Sequence, residues 1–396
     1  MNIGYCTNVH SGNNCESILQ NLKRFAVPTR QQVYGTDPMG IGLWLPDSAS
    51  KQLLTSPDLN RLKEFLSEYQ LVPHTFNAFP FQDFHQLVVK HSVYRPDWTE
   101  PARQQYTCRI ADVMAELLPA TARGTISTLP LGWCGWPRLE KDAALIEACV
   151  QNLMKCAQHL RKVRDRTGVH IRVCLEPEPG CVLDCYEHVT ELFQTHLYAS
   201  PEYRELSSQF LGVCHDICHS AVMFEAQKTA LDGYRDSEIV IGKVQISSGV
   251  HFGSSNQNGL TFGEMLQPFV EARYLHQTTV KNANNAISLF EDLPLALENL
   301  SQATAEDIGE ARVHFHMPIH LEQGTTQPDI SQAVNWFISN DYQTHFEVET
   351  YAWEVSPEFV KGGGDKSDEA SSLVKSICNE LSWLKRRHPK LDGLNE

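Results

Sequence analysis

Short apolar runs alternate with amphipathic stretches along almost the whole chain. Asn2 to Val9 reads as a strand, and the stretch around Cys15 to Phe25 is compatible with a helix. Gly40 to Leu45 reads as a second strand. Leu62, Phe65, Leu66 and Tyr69 recur at helical spacing and predict a helix over Leu59 to Tyr69, with a third strand over Val72 to Asn77. A long polar and aromatic loop follows, Ala78 to Pro101, carrying Phe79, Phe81, Phe84, Tyr94 and Trp98. Beyond it the pattern predicts a helix over Arg103 to Leu118, a strand over Thr125 to Leu129, a Gly/Trp/Pro loop through Pro137 and a helix over Lys141 to Thr167. Three apolar strands then end at Glu176, Asp216 and Gln245, with helices around Asp184 to His196 and Ala221 to Leu231 between them. A last strand, His345 to Tyr351, precedes Gly362 to Gly364 and a closing helix from about Asp368 to Arg387.

Strand then helix, repeated eight times, is the signature of an α/β protein closed into a (β/α)8 TIM barrel. The stretch that departs from the repeat is Ser248 to Asn340. Within it, Arg273 to Val280 and Ala286 to Phe290 flank Lys281-Asn282-Ala283-Asn284-Asn285 and read as a β-hairpin, and Val313 to Pro318 adds a strand-like run. The expectation is one domain over residues 1–396 with an insertion of about 248–340 between strands seven and eight.

The 396 residues are 42% hydrophobic and 20% charged, an ordinary globular composition with apolar material for a large core. Net charge is −15, and the longest basic run is Lys385-Arg386-Arg387, which disfavours a nucleic-acid partner. The start, Met1-Asn2-Ile3-Gly4-Tyr5, has neither a basic nor an apolar leader region, and no run reaches bilayer-spanning length, so a cytoplasmic protein without membrane insertion is expected. Twelve cysteines spread over a long chain read as buried thiols. Cys181, Cys185, Cys214 and Cys218, with His215 and His219, imitate a structural zinc site. Strand parity opposes it, because Cys214 and Asp216 share a face and His215 points away.

Chemistry gathers where apolar strands end on oxygen. Val173-Cys174-Leu175-Glu176, the run ending at Asp216, Val244-Gln245-Ile246-Ser247 and Phe346-Glu347-Val348-Glu349 each finish on an acid or amide. Active sites of parallel barrels sit at that carboxyl end. Glu176, Asp216, Gln245 and Glu349 form an oxygen-rich set suited to Mg²⁺ or Mn²⁺, and Zn²⁺ enters the choice if imidazoles join. Glu178 competes with Glu176, and Gln245 rests on position alone. His219, three residues after Asp216, leans over the same face to touch substrate or a second ion. His314 and His316 share strand parity in Val313-His314-Phe315-His316, as further ligands or as stacked residues of the insertion. His276 is a candidate on the same reasoning, and His10 and His74 lie near the tips of strands one and three. Tyr351 and Trp353 follow Glu349 as rim aromatics. No Walker or dinucleotide loop and no Gly-x-Ser-x-Gly elbow is present.

Taken together these residues resemble the xylose-isomerase-like barrel superfamily of sugar isomerases and epimerases, hydroxypyruvate isomerase and endonuclease IV. The resemblance implies metal ligands at Glu176, Asp216, Gln245 and Glu349, with His219 contacting substrate. More closely, Thr75-Phe76-Asn77-Ala78-Phe79-Pro80, Val93-Tyr94-Arg95-Pro96-Asp97-Trp98, Cys214-His215-Asp216-Ile217-Cys218-His219, Tyr274-Leu275-His276-Gln277, His314-Phe315-His316 and Glu349-Thr350-Tyr351-Ala352-Trp353 resemble the EboE family, called metabolite traffic protein. That family occurs in bacterial operons beside a prenyltransferase-like membrane protein and a sugar-phosphate cyclase-like enzyme, which implies a small-metabolite pathway and partners from the same operon.

The favoured expectation is a divalent-metal-dependent isomerase or epimerase of a small polyhydroxylated, sugar- or cyclitol-like metabolite. Glu176 and Glu349 would exchange a proton and His219 would polarise a substrate oxygen, while His10, His74, His276 and His316 contact substrate. The alternatives are an endonuclease IV-like multi-zinc phosphodiesterase and a metabolite-binding protein without turnover. The insertion and the loop Ala78 to Pro101 are expected to form opposing walls of a narrow pocket, with His316 and His276 facing the metal.

Overall fold

A computed structural model describes residues 2–83, 85–135, 142–253, 261–300, 308–350, 369–393 and 395. Eight strands form the central parallel sheet: β1 (Gly4–Tyr5), β2 (Met39–Trp44), β3 (Leu71–Asn77), β4 (Arg123–Thr128), β5 (His170–Leu175), β6 (Leu211–Asp216), β7 (Ile241–Ile246) and, after the insertion, a last strand at His345–Val348. Each neighbour along the chain is a neighbour in the sheet, the last strand lies between β7 and β1, and bridges from Asn2 to Met39 and from Cys6 to Gly42 close the ring. The (β/α)8 barrel read from the alternation is the observed fold. Helices at Pro101–Leu117, Ala143–Thr167 and Pro201–Phe210, among others, cover its outside. No helix among the described residues is long and apolar enough to cross a membrane.

The strands are apolar on both faces because helices cover one and packed side chains the other. The barrel interior is tight enough to dictate glycine. A Cβ at Gly42 would lie 1.8 Å from Glu347 Oε2, so only a bare backbone leaves room for that carboxylate.

Several element boundaries move. The first strand covers Gly4–Tyr5 alone, because the chain turns into a 3-10 helix at Thr7–Val9 and the Thr7 hydroxyl accepts the Trp44 N–H that would otherwise continue the ladder. The first helix runs past Phe25: Cys15–Asn21 continues through a wide π turn at Leu22–Ala26 into Val27–Tyr34. Pro28 stands just after that turn, and its missing N–H removes the bond a regular helix would make there. Helices at Asp47–Thr55 and Pro201–Phe210 had no counterpart in the sequence reading, and Ala221 to Leu231 divides into Ile217–Val222 and Gln227–Asp236.

The insertion carries its own antiparallel sheet: β8 (Val250–Gly253), β9 (Thr278–Asn282), β10 (Ile287–Phe290) and β11 (Ile308–Val313), in the order β10-β9-β11-β8; the last barrel strand is therefore β12. The hairpin is β9 with β10, shorter than its sequence bounds. Phe262, Leu266, Leu293, Val313 and Phe315 build a separate apolar core beneath this sheet. β11 ends at Val313, so His314 to Pro318 is an extended exit segment rather than a strand. Its Met317 N–H bonds Ser248 O at 2.7 Å, which returns the segment to the mouth of the barrel.

Candidate metal centre

The strand tips converge. Glu176 follows β5 directly, Asp216 is the last residue of β6, Gln245 sits in β7 and Glu349 follows β12; all four side chains are buried. Register explains the convergence, since Asp216 pairs with Gln245 and Gln245 with Glu347 across adjacent strands. Asp216 also caps the helix Ile217–Val222: its Oδ1 accepts the His219 N–H at 2.9 Å and the Ser247 hydroxyl at 2.7 Å. The same side chain thus starts the helix and fixes where His219 stands.

Three buried oxygens in this cluster accept no hydrogen bond: Glu176 Oε2, Asp216 Oδ2 and Gln245 Oε1. The Gln245 amide reaches Glu176 Oε1 only at 3.5 Å. Glu349 is better supported, its Oε1 accepting from Asn8 and, at 3.2 Å, from Asn77. Donor atoms of Glu176, Asp216 and His219 lie within 4.8 Å of one another. Buried oxygen donors left unmet each cost on the order of 1–3 kcal/mol, more for charged ones, unless a cation meets them. The donor set and its unmet oxygens therefore fit a divalent metal, with Glu176, Asp216, Gln245 and Glu349 as the side chains that would hold it.

Electrostatics agree. Burial pushes the Glu176 carboxyl up to about 7, with His219 opposing and the Asp216 charge reinforcing the rise. Glu349 is raised well above the ordinary range by burial and then by Glu176 and Asp216. Burial works against Asp216 too, yet His219, His316 and its two hydrogen bonds hold it below the usual carboxylate range. Several carboxylates this close cannot all ionise without a positive charge among them. Below them lies one that the sequence reading passed over: Lys243, fully buried in β7, forms an ion pair with Glu347 Oε1 at 2.7 Å and donates hydrogen bonds to Ser127 Oγ at 3.1 Å and Phe76 O at 3.3 Å.

A nitrogen cluster adjoins the oxygens. Donor atoms of His219, His314 and His316 lie within 4.8 Å of one another. Their other nitrogens face oxygens: His219 Nδ1 meets Pro177 O at 2.8 Å, His314 Nδ1 meets Gln277 Oε1 at 2.8 Å, and His316 Nδ1 meets Glu349 O at 3.0 Å. Each of these oxygens only accepts, which sets every Nδ1 as N–H and leaves Nε2 as the lone-pair atom whenever the ring is neutral; burial pushes His314 and His316 toward that neutral form, whereas Asp216, Glu178 and Glu176 outweigh burial at His219 and raise it. His219 and His314 consequently turn Nε2 toward Nε2 at 3.0 Å, a contact that calls for a shared proton or cation.

The remaining predicted residues separate. His10 hydrogen-bonds the Tyr5 hydroxyl at 2.9 Å and stacks on Phe25, lining a different small cavity with Thr7 and Trp44, because the Thr7–Val9 turn carries it off the barrel axis. His74 lies below the tip of β3 near a register shift between β2 and β3, with its ring edge-on to His345 at the start of β12. It belongs to the barrel floor. His276 is buried in the insertion, bonding His314 O at 2.9 Å and Glu271 at 2.7 Å, so it supports the exit segment without lining the cavity. Neither His10, His74 nor His276 reaches the cluster of Glu176, Asp216, Gln245 and Glu349. His215 turns outward to Gln227 at 2.7 Å, and among the described residues no donor cluster unites the Cys181/Cys185 pair with Cys214/Cys218. Tyr351 and Trp353 lie outside the described residues.

Other residues join the site. Glu178 and Glu176 both belong to it: Glu178 Oε1 accepts from the Tyr94 hydroxyl at 2.7 Å and from Gln277 at 2.9 Å, so it ties loop, barrel and insertion together. Asn77 is an amide at the end of the third barrel strand, and Asn8 one near the end of the strand read over Asn2 to Val9, where the structure has the Thr7–Val9 turn; this is the signal that singled out Gln245, and applying it evenly would have found them. Tyr94 and Gln277 stand within motifs singled out from the sequence, yet nothing there marks either as a site residue. Above the cluster opens a cavity, reached by Glu176, Glu178, His219, His314 and Glu349 from below. Its walls are the loop after β3 and the insertion, and they meet: the N–H groups of Val89 and Lys90 both donate to Arg273 O, at 2.7 and 3.0 Å.

No protein-family model and no curated protein matches the chain. Solved structures do. The chain is similar to an IolI protein with a bound zinc atom at 12% identity, covering 98% of this chain and 99% of that one with a TM-score of 0.51. A xylose isomerase-like TIM barrel protein from Mycobacterium smegmatis in complex with magnesium aligns at 9% identity over 96% and 97%, TM-score 0.50. A probable 3-DHS dehydratase, AsbF, from Bacillus anthracis aligns at 14% identity over 98% and 100%, TM-score 0.50. Identities this low speak for the fold alone, and that fold is the xylose-isomerase-like barrel.

Proposed function

We propose that the chain is a divalent-metal-dependent isomerase or epimerase of a small oxygenated metabolite. The observation that carries this reading is the set of three buried, unmet oxygens on Glu176, Asp216 and Gln245, beside the buried Glu349 carboxyl that Glu176 and Asp216 hold up. A bound cation would chelate vicinal substrate oxygens and acidify the adjacent carbon-bound proton. Glu176, pushed up to about 7, is poised to take or give a proton near neutral pH, and Glu349, raised further, serves as its opposite number. His219 faces the same cavity and would donate to a developing substrate oxygen once protonated. Asn8 and Asn77 hold the Glu349 carboxylate in place. The zinc and magnesium in two fold relatives, and the motif resemblance to the EboE family with its metabolite pathway and operon partners, support the same direction.

The test is metal analysis followed by incubation of candidate hydroxy-ketones in D2O. Bound or bindable divalent ion together with carbon-bound deuterium in the ligand supports turnover. Absence of any bindable ion overturns the reading, and metal-dependent binding with no deuterium exchange replaces it with a binding protein.

A second reading, a multi-zinc phosphodiesterase of the endonuclease IV kind, draws on one observation: the three convergent Nε2 atoms of His219, His314 and His316, which favour Zn²⁺. The charge of −15 and Gln245 in place of an imidazole oppose it. Cleavage of abasic-site DNA by the Zn²⁺-loaded protein decides for it, and inertness at adequate Zn²⁺ decides against.

A further inference from the structure

The cavity above the strand tips has two chemistries in one space. Its base is made of acids, amides and imidazoles. Its walls are apolar: Phe79, Val89, Val93 and Tyr94 from the loop after β3, Tyr274 and Leu275 from the insertion. Val89 and Tyr274 pack with Trp44 and Val93 into a small apolar cluster of their own, so the upper cavity is a built hydrophobic surface.

Charge narrows the class further. Among the described lining residues the one lysine or arginine is Lys90, and its Nζ is held by Asp292 at 2.6 Å. Glu176, Glu178 and Glu349 line the same space. Among the described residues a phosphate or carboxylate on the distal part of a ligand would find no arginine fork there and would face like charge.

We propose that the natural ligand is an uncharged compound with vicinal oxygens at one end and an apolar or aromatic arm at the other, rather than a free sugar, a sugar phosphate or a nucleotide. This rests on the metal-site reading for the oxygen end and adds the arm. The oxygens seat over Glu176, Asp216, Gln245 and Glu349, and the arm lies between Val93 and Leu275 beneath the roof joined at Arg273.

Hydroxamates separate the two parts, since their vicinal oxygens chelate a metal while the substituent probes the walls. The full chain, loaded with Mn²⁺ or Zn²⁺, is titrated calorimetrically with acetohydroxamate, benzohydroxamate and 4-carboxybenzohydroxamate, each affinity taken relative to that for the same metal in solution. Benzohydroxamate should bind about tenfold tighter than acetohydroxamate or better, the scale of burying one ring, and the 4-carboxylate should lose that gain. Val93→Ser, at a half-buried wall position, should shrink the gain while leaving acetohydroxamate binding unchanged. Equal binding of the acetyl and benzoyl compounds overturns the arm and leaves the metal reading standing. No binding of any hydroxamate to the metal-treated protein overturns both.

Discussion

Lys243 allows a quantitative test of how the barrel tolerates so many acids. Its side chain is 0% exposed and that of Glu347 1%, with Nζ and Oε1 2.7 Å apart. At an effective dielectric of about 20 that separation corresponds to about 6 kcal/mol of attraction, much of it offset by desolvation of both ions. Lys243→Met keeps the volume and removes the charge, which leaves Glu347 buried beneath Glu176 and Glu349. The carboxylate's escape is to take a proton. For a carboxyl of ordinary pKa near 4.3 that costs about 3.7 kcal/mol at pH 7 and about 1 kcal/mol at pH 5. The metal-free variant should therefore lose about 3–5 kcal/mol of unfolding free energy at pH 7, and markedly less at pH 5, measured by urea denaturation followed by circular dichroism in EDTA. Adding Glu347→Gln should restore a large share, because the pair is then gone and the Thr75 hydroxyl keeps an acceptor. A loss under about 1 kcal/mol at pH 7, or one that does not diminish on acidification, would refute the account.

Metal should stabilise the stripped protein by about 2.7 kcal/mol at a hundredfold excess over Kd, and Asp216→Ala should abolish that increment in the same urea titration. Without metal, the raised Glu176 carboxyl binds a proton between its unfolded value of 4.5 and about 7 that the unfolded chain does not. Stability of the metal-free protein should hence be greater at pH 5 than at pH 8, a slope that calorimetry reads directly and that Glu176→Gln should flatten. His316→Ala should weaken Zn²⁺ binding about tenfold or more in a competitive chelator assay. His276→Ala, whose ring bonds Glu271 and the His314 carbonyl away from the cavity, should cost about 1–3 kcal/mol of stability, with a smaller effect on metal affinity. Gly42→Ala should destabilise by roughly 1–3 kcal/mol or more, since its methyl would collide with the Glu347 carboxylate.

The residues proposed to hold a metal were legible because a parallel strand buried on both faces is largely apolar until it reaches the mouth, so Glu176, Asp216 and Glu349 stand out as abrupt changes of character. Asn8 and Asn77 obey that rule and were missed through uneven application. Lys243 was invisible for another reason: inside a run such as Ile241–Ile246, a lysine gives no sign of whether it snorkels outward or is paired inward. His10 and His74 were misplaced by local irregularities, a 3-10 turn and a register shift, that no periodicity reports. In the insertion the hairpin was readable from Lys281 to Asn285, but strand β11 was placed several residues late. His314 and His316 therefore look strand-like by parity, although an extended exit segment delivers them. Tyr94 and Gln277 meet at Glu178 only through tertiary closure between segments more than 180 residues apart, which sequence spacing cannot encode.

That closure divides responsibilities within the chain. The groups suited to chemistry stand on strand ends, where a one-residue shift would disrupt the barrel itself, whereas the walls come from a loop and an insertion that rests on its own apolar core. Substitutions at Val93, Leu275 or Phe79 can accumulate without touching Glu176, Asp216 or Glu349. Descendants of such a protein are free to drift between ligands while inheriting one reaction, and the roof joined at Arg273 is the part of the molecule in which that divergence would be written.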